Sequence, residues 1–102
     1  MWVIVSFDLP VENTEQRRIY TQFRKKILEG NGFFPLQKSV YYRWCFSAEH
    51  AETIVGRVQE ACPKNGSVFV LHFSEQIGNN SIYIKNDEEN RLLERPMPFE
   101  LF

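Results

Sequence analysis

Residues 2–10 read Trp2-Val3-Ile4-Val5-Ser6-Phe7-Asp8-Leu9-Pro10. Apart from Ser6, positions 2–7 are β-branched or aromatic, on odd and even positions alike. Such a run suits a strand buried on both faces. It ends abruptly, because Pro10 has no amide hydrogen to give to a ladder. A strand of this kind needs pairing partners on its edges and cover on both faces. The rest of the chain is read for what supplies them.

A helix follows. Asn13 and Gln16 have the spacing of a reciprocal cap, and Glu15 suits the positive helix start. Ile19, Tyr20, Phe23 and Ile27 recur at helical spacing, with Arg17, Arg18, Arg24 and Lys25 on the other side of the wheel. Gly30-Asn31-Gly32 is the stop. Phe33 to Leu36 forms a short strand that Pro35 confines to an edge or a kink. Ser39 to Phe46 is a firmer strand, with Val40, Tyr42, Trp44 and Phe46 on one face and Tyr41, Arg43 and Cys45 on the other.

Ser47 caps a second helix, in which Ala51, Ile54, Val55, Val58, Ala61 and Cys62 mark the apolar stripe until Pro63 ends it. Val68 to Phe73 is a further apolar strand. Gly78-Asn79-Asn80 signals a turn, and Ile82 to Lys85 a short fifth strand. The order predicts an α+β fold: a ferredoxin-like βαββαβ unit with an extra C-terminal strand, and an antiparallel sheet with two helices on one face. The other face calls for a second copy of the chain, with Val40, Tyr42, Trp44 and Phe46 as the interface.

The chain has 102 residues, which suits one domain. Residues 1–85 are assigned to that domain. Residues 86–102 form an extension, polar up to Arg95 and then apolar through Pro96-Met-Pro-Phe-Glu-Leu-Phe102, expected to dock on a partner subunit. The net charge of −1 argues against a generic polyanion binder, but the distribution is uneven. Residues 1–46 carry seven Lys or Arg against four acids, and residues 47–102 carry five against nine. A neutral total thus conceals a basic first half. Cys45 and Cys62 have no metal-type spacing and read as buried thiols in a reducing compartment. No apolar stretch approaches the roughly 18 residues of a membrane span, and the start has no signal-peptide pattern, so the expected location is the cytoplasm.

Two groups could carry chemistry. Asp8 sits at the carboxyl end of a buried strand, where it either caps the following turn or belongs to a site. One carboxylate is a poor site for a metal such as Mg²⁺, but a two-fold dimer would bring two together. The cations of the first helix, Arg17, Arg18, Arg24 and Lys25, either contact phosphates or form a solvated face. His50, at the start of the second helix, and His72, within an apolar strand, are read as non-catalytic. Gly78 is read as a turn residue only.

Three stretches together resemble a known family. They are Val3-Ile-Val-Ser-Phe-Asp8-Leu-Pro10, Arg17-Arg18-x-Tyr20-x-x-Phe23-Arg24-Lys25, and Gly32-Phe33-x-x-Leu36-Gln37-x-Ser39-Val40-Tyr41. The family is the Cas-two family, the smaller of the two widespread CRISPR adaptation proteins. The resemblance covers nearly the whole chain. The Met-Trp start and the Pro-Phe-Glu-Leu-Phe ending look like members from type II systems, whose effector is a single RNA-guided protein.

The resemblance implies a homodimer in which Asp8 of each subunit faces its mate and holds Mg²⁺ or another divalent cation. It implies a metal-dependent endonuclease acting on RNA or DNA, depending on the member. It also implies a scaffold in spacer acquisition, bridging integrase dimers and supporting the duplex DNA being inserted. Arg17, Arg18 and Arg24 match the family's basic first helix. Many members place Tyr before the Asp, where this chain has Phe7, which removes a hydroxyl expected near the site. Competing readings are a non-catalytic duplex-DNA scaffold and an RRM-like module for single-stranded RNA. The latter lacks its signature glycine between Ser39 and Trp44.

Overall fold

The computed structural model of the protein describes residues 1–84. The described elements are β1 (Trp2–Asp8), α1 (Thr14–Gln22), β2 (Phe34–Gln37), β3 (Val40–Trp44), α2 (Ala48–Glu60), β4 (Ser67–Phe73) and α3 (Glu75–Asn79). Between α1 and β2 the helix runs on as a π-helical segment, Phe23–Leu28, and a 3-10 turn, Glu29–Asn31. The strands make one sheet in the order β2-β3-β1-β4, every pair antiparallel. β1 is therefore paired on both edges, as its two-sided apolar sequence requires. The β2–β3 ladder shifts register between Pro35, which is still opposite Tyr41, and Gln37, opposite Val40, so that Leu36 is the extra residue of a bulge. No helix among the described residues is long and apolar enough to cross a membrane.

The helix ends form where local chemistry allows. The Asn13 side chain accepts the Gln16 amide at 2.8 Å, and Gln16 Oε1 accepts the Asn13 amide at 3.3 Å. Ser47 Oγ accepts the His50 amide at 3.0 Å at the start of α2. Each such cap contributes about 1 kcal/mol.

The core lies between the sheet and the helices. Val3, Val5 and Phe7 meet Tyr20, Phe23 and Leu28 from the first helix, Ala51, Ile54 and Val58 from α2, and Tyr41 from β3. The stripe of the first helix departs from the one expected. Tyr20, Phe23 and Leu28 are buried, whereas Ile19 and Ile27 are half-exposed. Phe23 and Leu28 are five residues apart, a spacing that α-helical geometry spreads to different sides. The i→i+5 bonding of the π segment brings both to the core.

The opposite sheet face follows from register. Trp2, Ile4 and Ser6 of β1 stand beside Trp44, Tyr42 and Val40 of β3, and beside Phe73, Leu71 and Phe69 of β4. Phe69 is 63% exposed and Leu71 46%. One corner of this face is covered, by α3, which lay unseen in the sequence. Gly78 sits so close to Trp2 that a Cβ would lie 2.6 Å from its ring, and Glu75 accepts the Trp44 indole N–H at 2.6 Å. Gly78 is thus a packing residue rather than a turn residue only.

Two expectations need correction. Phe46 lies beyond β3, 71% exposed, and stacks on His50 at 4.1 Å instead of joining the sheet face. The chain has already turned towards α2 there, with the Phe46 amide donating to His50 Nδ1 at 3.3 Å. The fifth strand expected at Ile82–Lys85 does not form over residues 81–84, which carry no helix or strand, because β4 is followed by α3 instead of a return along the sheet. Lys85 and the extension over 86–102, with the docking expected of it, lie outside the described residues.

Phe7 is the hub of the core. It meets Tyr20 edge-on at 5.7 Å, Phe23 edge-on at 5.2 Å and Tyr41 at 5.9 Å. Phe7→Ala is expected to destabilise the fold by about 3–5 kcal/mol, the usual cost of emptying an aromatic core position. Urea unfolding at fixed protein concentration checks this; a loss under ~1 kcal/mol would mean the cluster does not organise the core.

Candidate nucleic-acid and metal site

Asp8 is exposed at the end of β1, on the face of Ile4 and Ser6. The pleat alternates side chains, so the neighbouring Phe7 points the other way and is buried at 5% exposure among the helices. A tyrosine at position 7 would therefore put its hydroxyl into the core layer, away from Asp8. The change to Phe7 does not strip the Asp8 face of a polar group.

The backbone around Asp8 is held from three directions. The Phe7 amide donates to the Ser39 carbonyl at 3.0 Å. The Tyr20 hydroxyl meets Ser39 Oγ at 2.9 Å and donates to the Lys38 carbonyl at 3.3 Å, tying the β2–β3 turn to the first helix. On the other edge Asp8 is paired with Ser67, and Gly66 precedes it with φ +91°. A Cβ on Gly66 would lie 2.5 Å from the Asp8 carbonyl oxygen. Glycine is required there by both conformation and space. Among the described residues, no three His, Cys, Asp or Glu side chains gather as a metal site.

The cations of the first helix divide. Thr14, Arg17, Arg18, Thr21, Lys25 and Lys26 border one shallow concavity on its outer side. Arg17 donates to the Val11 carbonyl at 3.2 Å. Arg18 forms a two-point contact with Glu15, at 2.6 and 3.2 Å, and this pairing holds the Glu15 carboxyl below its ordinary range. Lys25 faces Glu29 at 3.7 Å. Arg24 is elsewhere. It donates to the Tyr41 hydroxyl at 3.1 Å and lies 5.5 Å from the centre of the Tyr20 ring. That hydrogen bond raises its pKa further, so it serves as a charged clasp between helix and sheet. The expectation that it shares the outward face of Arg17 and Arg18 is corrected: the bond to Tyr41 turns it towards the sheet. Lys26 was passed over in the sequence. Its signal was present as the third member of Arg24-Lys25-Lys26.

The remaining candidates are structural. Cys45 is buried and Cys62 half-buried, both free, and burial pushes both thiols upward. His50 is tied to Phe46 and contacts Arg43 at 3.4 Å, and His72 is exposed on the edge strand β4.

Two glycines give a paired test of this geometry. Gly66→Ala is expected to destabilise the protein by about 1–3 kcal/mol through left-handed strain and the collision with Asp8. Gly56→Ala, inside α2 with open space around it, is expected to stabilise by up to about 1 kcal/mol. Thermal melts of both variants decide; a neutral Gly66→Ala would refute the close approach at Asp8.

The family model described as CRISPR associated protein Cas2 matches residues 1–80. A protein of Parvibaculum lavamentivorans is 38% identical over 103 residues, covering 100% of both chains. One of Flavobacterium psychrophilum is 34% identical over 100 residues, covering 92% of this chain and 86% of the relative. One of Paracidovorax avenae is 33% identical over 102 residues, covering 100% and 94%. All three bear the name CRISPR-associated endoribonuclease Cas2. With this match over the sheet, both main helices and Asp8, the chain belongs to the CRISPR-associated Cas2 family.

Proposed function

We propose that the protein works in CRISPR spacer acquisition as a homodimer. It holds nucleic acid along the basic side of its first helix and cleaves phosphodiesters at paired Asp8 carboxylates. One observation carries this reading: Asp8 stands on the same sheet face as Tyr42, Phe69 and Leu71, an apolar face that α3 covers at one corner only. A second copy laid on that face about a two-fold axis covers it and brings Asp8 of the partner subunit to the first. An interface of this type commonly buries about 2,000 Å² or more.

The donor set can be weighed against Mg²⁺, which takes six oxygens, usually one or two carboxylates with waters and phosphate oxygens. Asp8 brings one carboxylate from each chain, and two chains bring two. The residues fit a shared divalent cation held by Asp8 of each subunit. Bound there, such a cation supplies a more acidic water and neutralises charge on the phosphate. Asp8 would hold the cation, and Arg17, Arg18, Lys25 and Lys26, on the outer side of the first helix, would hold the phosphate backbone away from the cleaved bond. The relatives' name supports RNA as a cleaved substrate. The same basic surface, doubled by symmetry, serves as a scaffold for duplex DNA and the integrase. Protonated, unpaired thiols fit the reducing cytoplasm.

A second reading, a scaffold without catalysis, draws on the lack, among the described residues, of any cluster of three His, Cys, Asp or Glu side chains around Asp8. Asp8→Asn separates the two. Under the enzymatic reading, Mg²⁺-dependent cleavage of RNA or DNA is lost while the melting temperature and solution mass stay unchanged. Cleavage that survives the change, in protein free of contaminating nuclease, moves the chemistry away from Asp8.

The binding surface has its own test. Replacing Arg17 and Lys26 by Gln should weaken duplex binding alike for all sequences. It should also flatten the dependence of log K on log salt by about 0.9 for each phosphate contact removed. An unchanged slope would show that these cations are only solvated.

A further inference from the structure

On the helix side of the sheet an open groove of about 550 Å³ runs between the first helix and the C-terminal end of α2. Its volume falls within the roughly 300–1,000 Å³ of natural ligand clefts. Its floor is apolar, formed by Leu9, Ile19, Phe23, Ile27, Ala61 and Pro63. Ile19, Ile27, Ala61 and Pro63 are half-exposed, so apolar surface stays open to water there. The border is polar without negative charge. Lys26 and Lys64 stand on it with the side-chain amides of Gln16, Gln22 and Asn65, and among the described residues no acid lines it. Gln22 and Lys26 also border the basic concavity on the outer side of the first helix, so the two depressions share a wall.

We infer that this groove receives an unpaired base of a nucleic-acid strand whose backbone lies on that concavity. The inference rests on the proposed role of the helix cations and extends it from phosphates to bases. A base has two weakly polar faces and one hydrogen-bonding edge. The apolar floor suits the faces, and the amides suit the edge, since Gln and Asn each bring a donor and an acceptor. The lysines suit the flanking phosphates, and a border free of acids lets a polyanion approach. A duplex cannot use the groove, because its bases are paired and stacked inside the helix. The groove therefore favours single strands, whereas phosphate contacts by themselves read nothing of the bases.

The groove also lies at the Asp8 end of the sheet. Leu9 and Pro10 directly follow Asp8, and Lys64 and Asn65 lead into Gly66, which approaches the Asp8 carbonyl closely. A base seated there holds its strand beside the end of β1. A second copy on the open sheet face leaves the groove accessible, because the groove is on the helix side.

The test uses three probes on the full chain: a short mixed-sequence single-stranded DNA, a strand of the same length built from abasic sugars, and the duplex. The base-bearing strand is expected to bind about fivefold or more tightly than the abasic one, as base stacking on a protein surface does. It should move the methyl NMR signals of Ile19, Ile27 and Ala61, and the abasic strand should not. Ile19→Gln combined with Ile27→Gln, both at half-exposed helical positions, should abolish the difference between the two strands. Duplex affinity and its salt slope should stay unchanged in that variant, which also reports that it is folded. If the duplex binds with a normal salt slope but the two single strands bind native protein alike, this inference alone is overturned. If none of the three probes binds, the reading of the first helix fails and the inference with it. Methyl shifts at Ile19 and Ile27 with the purified integrase, and none with the base-bearing strand, would assign the groove to a protein partner and overturn it as well.

Discussion

β1 is paired along both edges, and its pleat sends alternate side chains to opposite faces of the sheet. Val3, Val5 and Phe7 go to the helices; Trp2, Ile4, Ser6 and Asp8 go to the open face. Each group depends on the other for its place. A slip of one residue would send Phe7 out of its aromatic cluster and bury Asp8 beneath the helices. The burial of Phe7 therefore sets the exposure of Asp8. The tight approach of Gly66 and the Tyr20–Ser39 bond hold that strand end from both sides.

The electrostatics of the first helix follow the same economy. Its outward cations are already engaged: Arg18 with Glu15, Lys25 with Glu29, Arg17 with a backbone carbonyl. Exposed pairs of this kind contribute roughly 0–1 kcal/mol, so exchanging Glu15 or Glu29 for another anion would cost little. Arg24 differs because it is clasped by Tyr41 and lies against the Tyr20 ring. The basic run in the sequence thus mixes two uses. Arg24 joins helix to sheet, while its neighbours remain available to a polyanion.

Much of this was legible in the residues. The capping pair Asn13 and Gln16, the apolar stripe of α2 and the proline-ended β1 each rest on local chemistry that the fold respects. The exposure of Asp8 could be read because a charge at the end of an apolar strand has no packing role. What could not be read depends on tertiary context. The π segment arises where Phe23 and Leu28 must both reach one core, and helical periodicity alone selects Ile27 instead. α3 is five residues long and depends on Trp2 receiving Gly78. The direction of Arg24 is set by a tyrosine seventeen residues away. Phe46 follows the strand pattern in sequence, but the turn into α2 takes it off the sheet.

In the proposed dimer, the open face of the sheet closes against a second copy and so pairs the Asp8 carboxylates. Sedimentation equilibrium at micromolar concentration, on the native chain and on a Phe69→Glu, Leu71→Glu variant, tests it most directly. The account predicts twice the 12.1 kDa chain mass for the native protein and a folded monomer for the variant. A native protein that sediments as a monomer, or a variant that stays dimeric, would contradict it.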